Sequence, residues 1–166
     1  MLRRTTLFLI VLTGLVAGTV GTAVGTSSSG VTAETASGRL VDRPLDVSME
    51  FKNGTKSEVE LKTKGDIVVA VQRTVAQPGA TFGWHSHPGP TIVTVLRGTL
   101  TLYHAEDCTD GANFVQGTSF SNLPREIHLA RNEGDTELVI FASYFVPVGT
   151  PSLRIDQPSP GNECPQ

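Results

Sequence analysis

The 166-residue chain is long enough for one domain with a buried core, and its 39% hydrophobic and 17% charged residues are typical of a globular protein. Its net charge is −3, and Lys and Arg form no basic stripe, so nucleic acid is not an expected partner. The 17 Gly and 10 Pro predict many turns between short elements.

The first 33 residues have the organisation of a secretory signal peptide. Two arginines precede an apolar stretch over residues 7–16, and the following stretch up to Ala33 is rich in Gly, Thr, Ser and Ala. Cleavage is expected after Ala23 or after Ala33, where small side chains precede the cut. The alternative is an uncleaved N-terminal membrane anchor. We predict a secreted or extracytoplasmic protein with no membrane attachment after cleavage.

Beyond this segment the chain is predicted to form a series of short β-strands. Runs rich in β-branched residues alternate with Gly- and Pro-marked turns, and no window of a dozen residues has a helical period. The pattern predicts an all-β domain, an antiparallel sandwich or barrel. The predicted strands are 59–61, 66–75, 91–96, 99–104, 119–121, 127–131 and 137–146.

The domain boundaries follow from composition. We expect residues 34–64 to be a polar lead-in, residues 65–148 to be the β domain, and residues 149–166 to be an irregular Pro-rich tail. Between two apolar runs, Arg97-Gly98 predicts a hairpin turn, because glycine takes a positive φ without steric cost.

The two cysteines, Cys108 and Cys164, are predicted to form a disulfide. Cys108 lies in a polar segment, residues 105–111, which we interpret as a loop, and Cys164 lies in the tail. An even number of cysteines in an exported protein favours pairing. Closing the 57-residue loop from Cys108 through Cys164 would stabilise the fold by about 4 kcal/mol in the chain-entropy model.

The feature that indicates chemistry is a pair of histidines, His85 and His87, followed by His128 in a second Gly- and Pro-marked segment. Residues i and i+2 of a strand point to the same face, so the first two imidazoles can converge. A third imidazole from a neighbouring strand completes a three-nitrogen site with positions left open for water or substrate. We therefore predict that His85, His87 and His128 bind a divalent transition metal. His104 is expected to be an ordinary strand residue.

These segments resemble the two motifs of the cupin superfamily. The first motif, G-x5-H-x-H-x3-E-x6-G, matches at Gly79, His85, His87 and Gly98, and the second, G-x5-P-x-G-x2-H-x3-N, matches at Gly117, His128 and Asn132. The resemblance covers about residues 65–148. It implies a small β-barrel of the jelly-roll type with the metal bound inside by the three histidines, and it makes a homodimer a possible assembly.

The sequence departs from these motifs where the metal would bind. Thr91 stands where the first motif has its acidic ligand, so the site keeps three neutral donors and the full 2+ charge of the cation. Glu126 lies two residues before His128 and is a possible additional ligand if the strand begins that early. Arg125 stands where the second motif has its inner Gly.

Three imidazoles favour iron, zinc, copper or nickel over magnesium and calcium, which need oxygen ligands, and manganese also remains a candidate. The resemblance implies a metal-dependent oxygenase acting on a small molecule, such as an aromatic or flavonoid-like compound. The alternative is a non-catalytic extracytoplasmic module that binds a metal or small ligand, because the fold hosts many activities. Phe82 and Trp84 have the opposite strand parity to the histidines, so both are expected to pack on the other face; the alternative is that they line the ligand pocket because a turn at Gly83 breaks the parity.

Overall fold

The computed structural model of the protein describes residues 25–40, 45–52 and 56–166, which form β-strands and no α-helix. None of these residues belongs to a helix that could cross a membrane. Residues 1–24 of the predicted signal peptide lie outside the described ranges. The strands are β1 (Ser29–Arg39), β2 (Asp46–Lys52), β3 (Lys56–Lys62), β4 (Ile67–Thr81), β5 (His85–Ser86), β6 (Thr91–Arg97), β7 (Thr99–His104), β8 (Asp107–Val115), β9 (Ser119–Asn122), β10 (His128–Arg131), β11 (Leu138–Pro147) and β12 (Ile155–Asp156).

Ten of these strands form one nearly closed, barrel-like sheet with two halves. In the first half the order is β1-β4-β11-β6-β9, and in the second it is β8-β7-β10-β5-β12, with antiparallel pairing throughout. The halves join where Arg131 of β10 pairs with Thr81 of β4. The arrangement confirms the predicted all-β barrel. Strands β2 and β3 form a separate hairpin.

The main core lies between the two halves of the barrel. Along β6 the side chains alternate, with Val93 and Val95 buried and Ile92 exposed, as expected for a strand with one face towards the interior. Each fully buried aliphatic side chain contributes about 1.5–3 kcal/mol relative to an exposed one. The buried members are Ala70, Ala76, Ala80, Val93, Val95, Leu100, Leu102, Ala130, Leu138, Ile140, Ala142 and Tyr144.

Each of the seven predicted strands corresponds to a strand of the structure. One predicted loop is wrong, because residues 107–111 begin β8 and Cys108 lies in a strand. β8 pairs along one side with β7 and lies at the edge of its half of the sheet. Most of its side chains are exposed, so the strand needs no apolar alternation and its residues carry no strand signal.

The hairpin predicted at Arg97-Gly98 is also wrong. β6 pairs with β11 and β9, whereas β7 pairs with β10 and β8, so this turn carries the chain from one half of the barrel to the other. Glycine is still required at this position. Gly98 has φ 76°, and a Cβ there would lie 2.9 Å from the carbonyl oxygen of Glu137.

The segment expected to be a lead-in contributes to the barrel. β1 pairs with β4 along nearly its whole length, and Ala33 lies opposite Thr74. Residues 29–33 thus belong to a barrel strand, so cleavage after Ala33 would cut β1, whereas cleavage after Ala23 would leave it whole. The sequence of β1 is polar and largely exposed, which explains why it was not recognised as a strand.

The C-terminal tail is mostly irregular, as predicted, but it is fixed to the barrel at several points. β12 pairs with β5, and the indole Nε1 of Trp84 donates a hydrogen bond to the Pro165 carbonyl at 2.8 Å. Cys108 and Cys164 are joined as a disulfide pair with a Cα–Cα distance of 5.2 Å. Together with Trp84 and Leu129, the two cysteines form a second buried cluster.

Arg125 generates a prediction about stability. Its φ is 63°, a left-handed conformation that costs a side-chain-bearing residue about 1–2 kcal/mol, and its N–H donates to the His87 carbonyl at 2.8 Å. Arg125→Gly removes this cost. Glycine loses about 0.5–1 kcal/mol more backbone entropy on folding, which offsets part of the gain, so we expect a net stabilisation of about 0.5–1 kcal/mol. Denaturant unfolding measures the change. Arg125→Ala is the control, since it removes the charge but keeps a Cβ; an equal gain in that variant would contradict the backbone explanation.

Candidate metal centre

Two neighbouring strands bring the three histidines together inside the barrel. His85 of β5 lies directly opposite His128 of β10, and their ring centroids are 4.4 Å apart. His87 follows two residues after His85, with ring centroids 4.9 Å from His85 and 5.1 Å from His128. All three side chains are buried, and each offers a ring nitrogen within 4.8 Å of the others. One cation could therefore contact all three imidazoles.

Backbone carbonyls determine which ring nitrogen faces this point. The Nδ1 atoms of His85, His87 and His128 lie 2.7, 2.7 and 3.0 Å from the carbonyl oxygens of Gly83, Leu153 and Glu126 respectively. A carbonyl oxygen only accepts, so each Nδ1 carries the hydrogen and each Nε2 keeps its lone pair. Histidines that bind metals typically donate their other N–H in this way. The donor set therefore fits a transition-metal ion.

The histidines are also kept neutral. Desolvation by burial lowers the pKa of His128 to about 3, with a further contribution from the charge of His87. Burial likewise places the pKa of His85 well below its ordinary value and lowers that of His87. An imidazole must be unprotonated to bind a cation, so at neutral pH all three are in the binding form.

A cavity of about 210 Å³ adjoins the histidines. This volume is below the roughly 300–1,000 Å³ typical of sites for drug-sized ligands, so the cavity favours a small molecule. Most of its wall is apolar, and none of its described lining residues is Asp or Glu. Tyr144 donates its O–H to Gln72 Oε1 at 3.2 Å. Burial raises the pKa of Tyr144 to about 12, so it remains a neutral donor.

Thr91 is completely buried where the cupin motif has its acidic ligand. It lies opposite Asn122 on β9 and opposite Tyr144 on β11, and both of these line the cavity. Directly opposite residues project to the same face, so Thr91 also faces the interior. Its Oγ1 and the Oδ1 of Asn122 are buried without a hydrogen-bond partner among the described residues. Such atoms cost about 1–3 kcal/mol each, which favours a bound ion, water or ligand beside them.

The structure does not bring Glu126 to the histidines. Its Oε2 accepts a hydrogen bond from the Leu123 N–H at 2.7 Å, and its Oε1 lies 3.2 Å from Nδ1 of His104. Both side chains line a separate surface groove. β10 begins only at His128, so the strand parity that suggested Glu126 as a ligand does not extend back to it. Among the described residues, the histidine group that could hold a metal contains no carboxylate; a second such group, Cys108, Glu163 and Cys164, has both of its sulfur atoms in the disulfide.

The two aromatic residues before His85 take different positions. Trp84 is fully buried against the disulfide on the far side of β5, as predicted. Phe82 instead lines the cavity, so that prediction is wrong. The cause is Gly83, whose φ of 69° turns the backbone between the two aromatics and breaks the alternation.

Sequence reasoning missed the contribution of the tail to the site. The Leu153 carbonyl accepts a hydrogen bond from His87 Nδ1, and Arg154 is among the residues that line the cavity. A single arginine in a Pro-rich segment carries no sequence signal. The predicted disulfide at Cys164 was the one sequence feature that placed the tail against the barrel, and therefore the one that could have indicated its contribution to the site.

The comparisons with known proteins agree with the fold and the motifs. The sequence of residues 72–144 matches the family described as Cupin domain. These residues form a cupin domain. The matched residues contain all three histidines and Thr91, whereas Leu153, Arg154 and Cys164 lie outside them.

Solved cupin structures resemble the chain at modest levels. A cupin-like protein from Thermotoga maritima is 24% identical, with 60% of this chain and 82% of that chain covered and a TM-score of 0.49. A cupin domain from Bordetella pertussis is 22% identical, with 63% and 97% covered and a TM-score of 0.42.

An oxalate oxidase in complex with the substrate analogue glycolate is 25% identical, with 48% of this chain and 42% of that chain covered and a TM-score of 0.43. The chain thus spans less than half the length of that enzyme. No curated protein matches the chain in sequence. At these levels of similarity the activities of the solved proteins do not transfer to this chain.

Proposed function

We propose that the protein is an exported cupin that binds one divalent transition metal through His85, His87 and His128 and presents its open coordination positions to a small molecule. The convergence of three neutral imidazoles, each with Nδ1 donating to a carbonyl, carries this proposal. The adjoining cavity of about 210 Å³ supplies room for the small molecule.

The donor set favours iron, zinc, copper or nickel, and manganese is the harder alternative. Three nitrogen donors leave at least one position open even in a four-coordinate site. Since Thr91 replaces the acidic ligand, the protein contributes no negative charge to the site. A bound metal would supply Lewis-acid or redox chemistry to a ligand in the cavity.

The chain's own residues restrict how a reaction could proceed. The cavity wall is mostly apolar, and its described residues offer no carboxylate as a general base. Tyr144 and Asn122 can orient a ligand by hydrogen bonds. This inventory fits a metal-dependent oxygenase, in which the metal rather than a side chain activates the reactants, and it equally fits a non-catalytic binding module. Product formation by the metal-loaded protein, absent in the His128→Ala variant, would assign it to the enzymes.

The first prediction of this proposal concerns metal occupancy. Purified protein should contain about one transition metal per chain. His85→Ala, His87→Ala or His128→Ala should each lower the metal affinity at least 10–100-fold, because mutation of residues that only hydrogen-bond to metal ligands already produces a loss of that size. Elemental analysis and competitive chelation measure this. His104→Ala is the matched control, because His104 pairs with Glu126 outside the cavity. Wild-type metal content in the triple alanine variant would refute the site.

A second prediction tests the position of Thr91. Thr91→Glu should tighten metal binding and shift preference towards iron and manganese, because a carboxylate at this buried, inward-facing position adds an anionic oxygen to three nitrogens. Competitive metal binding at one pH compares the variant with wild type. Thr91→Gln is the control, because glutamine has nearly the same shape as glutamate but carries no charge. Equal behaviour of the two variants would show that no carboxylate reaches the metal.

Export is proposed from the N-terminal sequence and the cysteine pair. A disulfide between Cys108 and Cys164 persists in an oxidising compartment and is rare in the cytosol. Cleavage after Ala23 would leave the whole of β1, which begins at Ser29.

Mass spectrometry of the non-reduced mature protein tests this proposal. We expect the peptides containing Cys108 and Cys164 to be linked and residues 1–23 to be absent. Full-length protein recovered from the cytosol with two alkylatable thiols would overturn export. A mature N-terminus after Ala33 would instead contradict the role of β1.

A further inference from the structure

We propose that the cavity binds small organic acids, with the guanidinium of Arg154 recognising the carboxylate. This inference rests on the proposed function, since it names the ligand class of the same cavity. It concerns a residue outside the matched cupin domain, residues 72–144.

The first step is the charge of the cavity. Arg154 is the one charged residue among the described lining residues besides the neutral histidines, and its ion-pair partner, Asp156, is not among them. The three histidines are neutral, and Thr91 replaces the acidic ligand. A divalent metal would therefore add its full charge to that of Arg154. A ligand with a negative charge is the one that such a site selects.

The second step is the orientation of the guanidinium. Nε donates to Asp156 Oδ1 at 2.5 Å, and Nη2 lies 3.4 Å from the Thr26 carbonyl. Nη1 donates no hydrogen bond to another described residue. Arg154 is among the residues that line the cavity and its side chain is 29% exposed, whereas Asp156 is not among them and its side chain is 54% exposed. Asp156 therefore fixes the Nε edge and partly neutralises the guanidinium, while Nη1 keeps its N–H donors for a ligand anion.

Arg154 also acts on the groups deep in the cavity. Its charge contributes to the lowered pKa values of His85, His87 and His128, although burial is the largest cause for each. Arg154 and the three histidines line the same cavity, so one small anion in it could contact both the guanidinium and a metal at the histidines. A planar carboxylate matches the planar fork of donors on arginine.

The third step is the position of the residue in the chain. Asp156 pairs with His85 across β12 and β5, and the Leu153 carbonyl accepts from His87. Arg154 lies between Leu153 and Asp156, so the backbone on both sides of it is attached to one of the two histidines, His87 or His85. The arginine is therefore preorganised beside the metal site, which reduces the entropic cost of binding an anion.

The remaining wall defines the rest of the ligand. Apolar side chains surround the cavity, including Phe82, Val93, Leu102 and Ile140. A cavity of about 210 Å³ with such a wall fits an acid with a short apolar body, so butyrate is a suitable probe.

Calorimetric titration with butyrate and with its uncharged analogue butyramide tests the proposal. Wild-type protein and Arg154→Gln are each titrated in a zinc-loaded form and in a metal-free form. We expect wild type to bind butyrate more tightly than butyramide, and Arg154→Gln to lose about 10- to 100-fold in butyrate affinity with little change for butyramide. Arg154→Lys should be intermediate, because it keeps the charge and loses the fork. Zinc content and thermal unfolding of each variant establish that the fold and the metal are retained.

Arg97→Gln is the matched control, since Arg97 forms an exposed ion pair with Glu137 away from the cavity. Unchanged butyrate affinity in Arg154→Gln, equal binding of butyrate and butyramide, or no binding of butyrate would each overturn the proposal. Equal affinity for inorganic phosphate would overturn the assignment to organic acids. If wild type binds no zinc, the proposed metal site fails, and the metal-free titrations still decide whether Arg154 recognises the acid.

Discussion

The burial of three imidazoles without a charged partner is the constraint on which the site depends. Desolvation penalises the protonated form, so each ring is neutral and each must place its one N–H against an acceptor. Gly83, Glu126 and Leu153 provide those acceptors through their backbone carbonyls. They come from the turn before β5, the turn before β10 and the tail. All three segments must therefore be in place before the three lone pairs can converge.

The tail is consequently part of the site rather than an appendage. It supplies the Leu153 carbonyl and Arg154, and it is fixed to the barrel by β12, by the Trp84–Pro165 hydrogen bond and by the disulfide. The second apolar cluster, around Trp84 and the cysteines, thus lies on the outer face of the strand whose inner face carries His85. Because successive side chains of a strand point to opposite faces, Trp84 packs in the outer cluster while its neighbour His85 points to the site.

The cavity differs in charge from a metal site that has three histidines and an acidic fourth ligand. Where an acidic ligand would offset part of the metal charge, Thr91 contributes only a hydroxyl without a partner among the described residues. The single charged side chain lining the described cavity is a cation. No carboxylate lines the described cavity to offset the charge of a metal at the histidines, so in our proposal an anionic small molecule takes that role.

The sequence by itself determined the all-β class, the seven strands with β-branched composition, the pairing of Cys108 with Cys164 and the convergence of the three histidines. The strands follow from local periodicity, the disulfide from the even number of cysteines, and the histidine site from the spacing of two motifs, all of which can be read from the linear sequence. Tertiary structure decided the remainder. β1 and β8 are polar strands recognisable only by their neighbours, and Gly98 joins the halves of a barrel rather than a hairpin. Glu126 turns away because β10 starts two residues after it, and Arg154 reaches the cavity because the tail is paired to β5, over 60 residues away in sequence. Contacts between segments that are distant in the chain decide such features, and no local pattern records them.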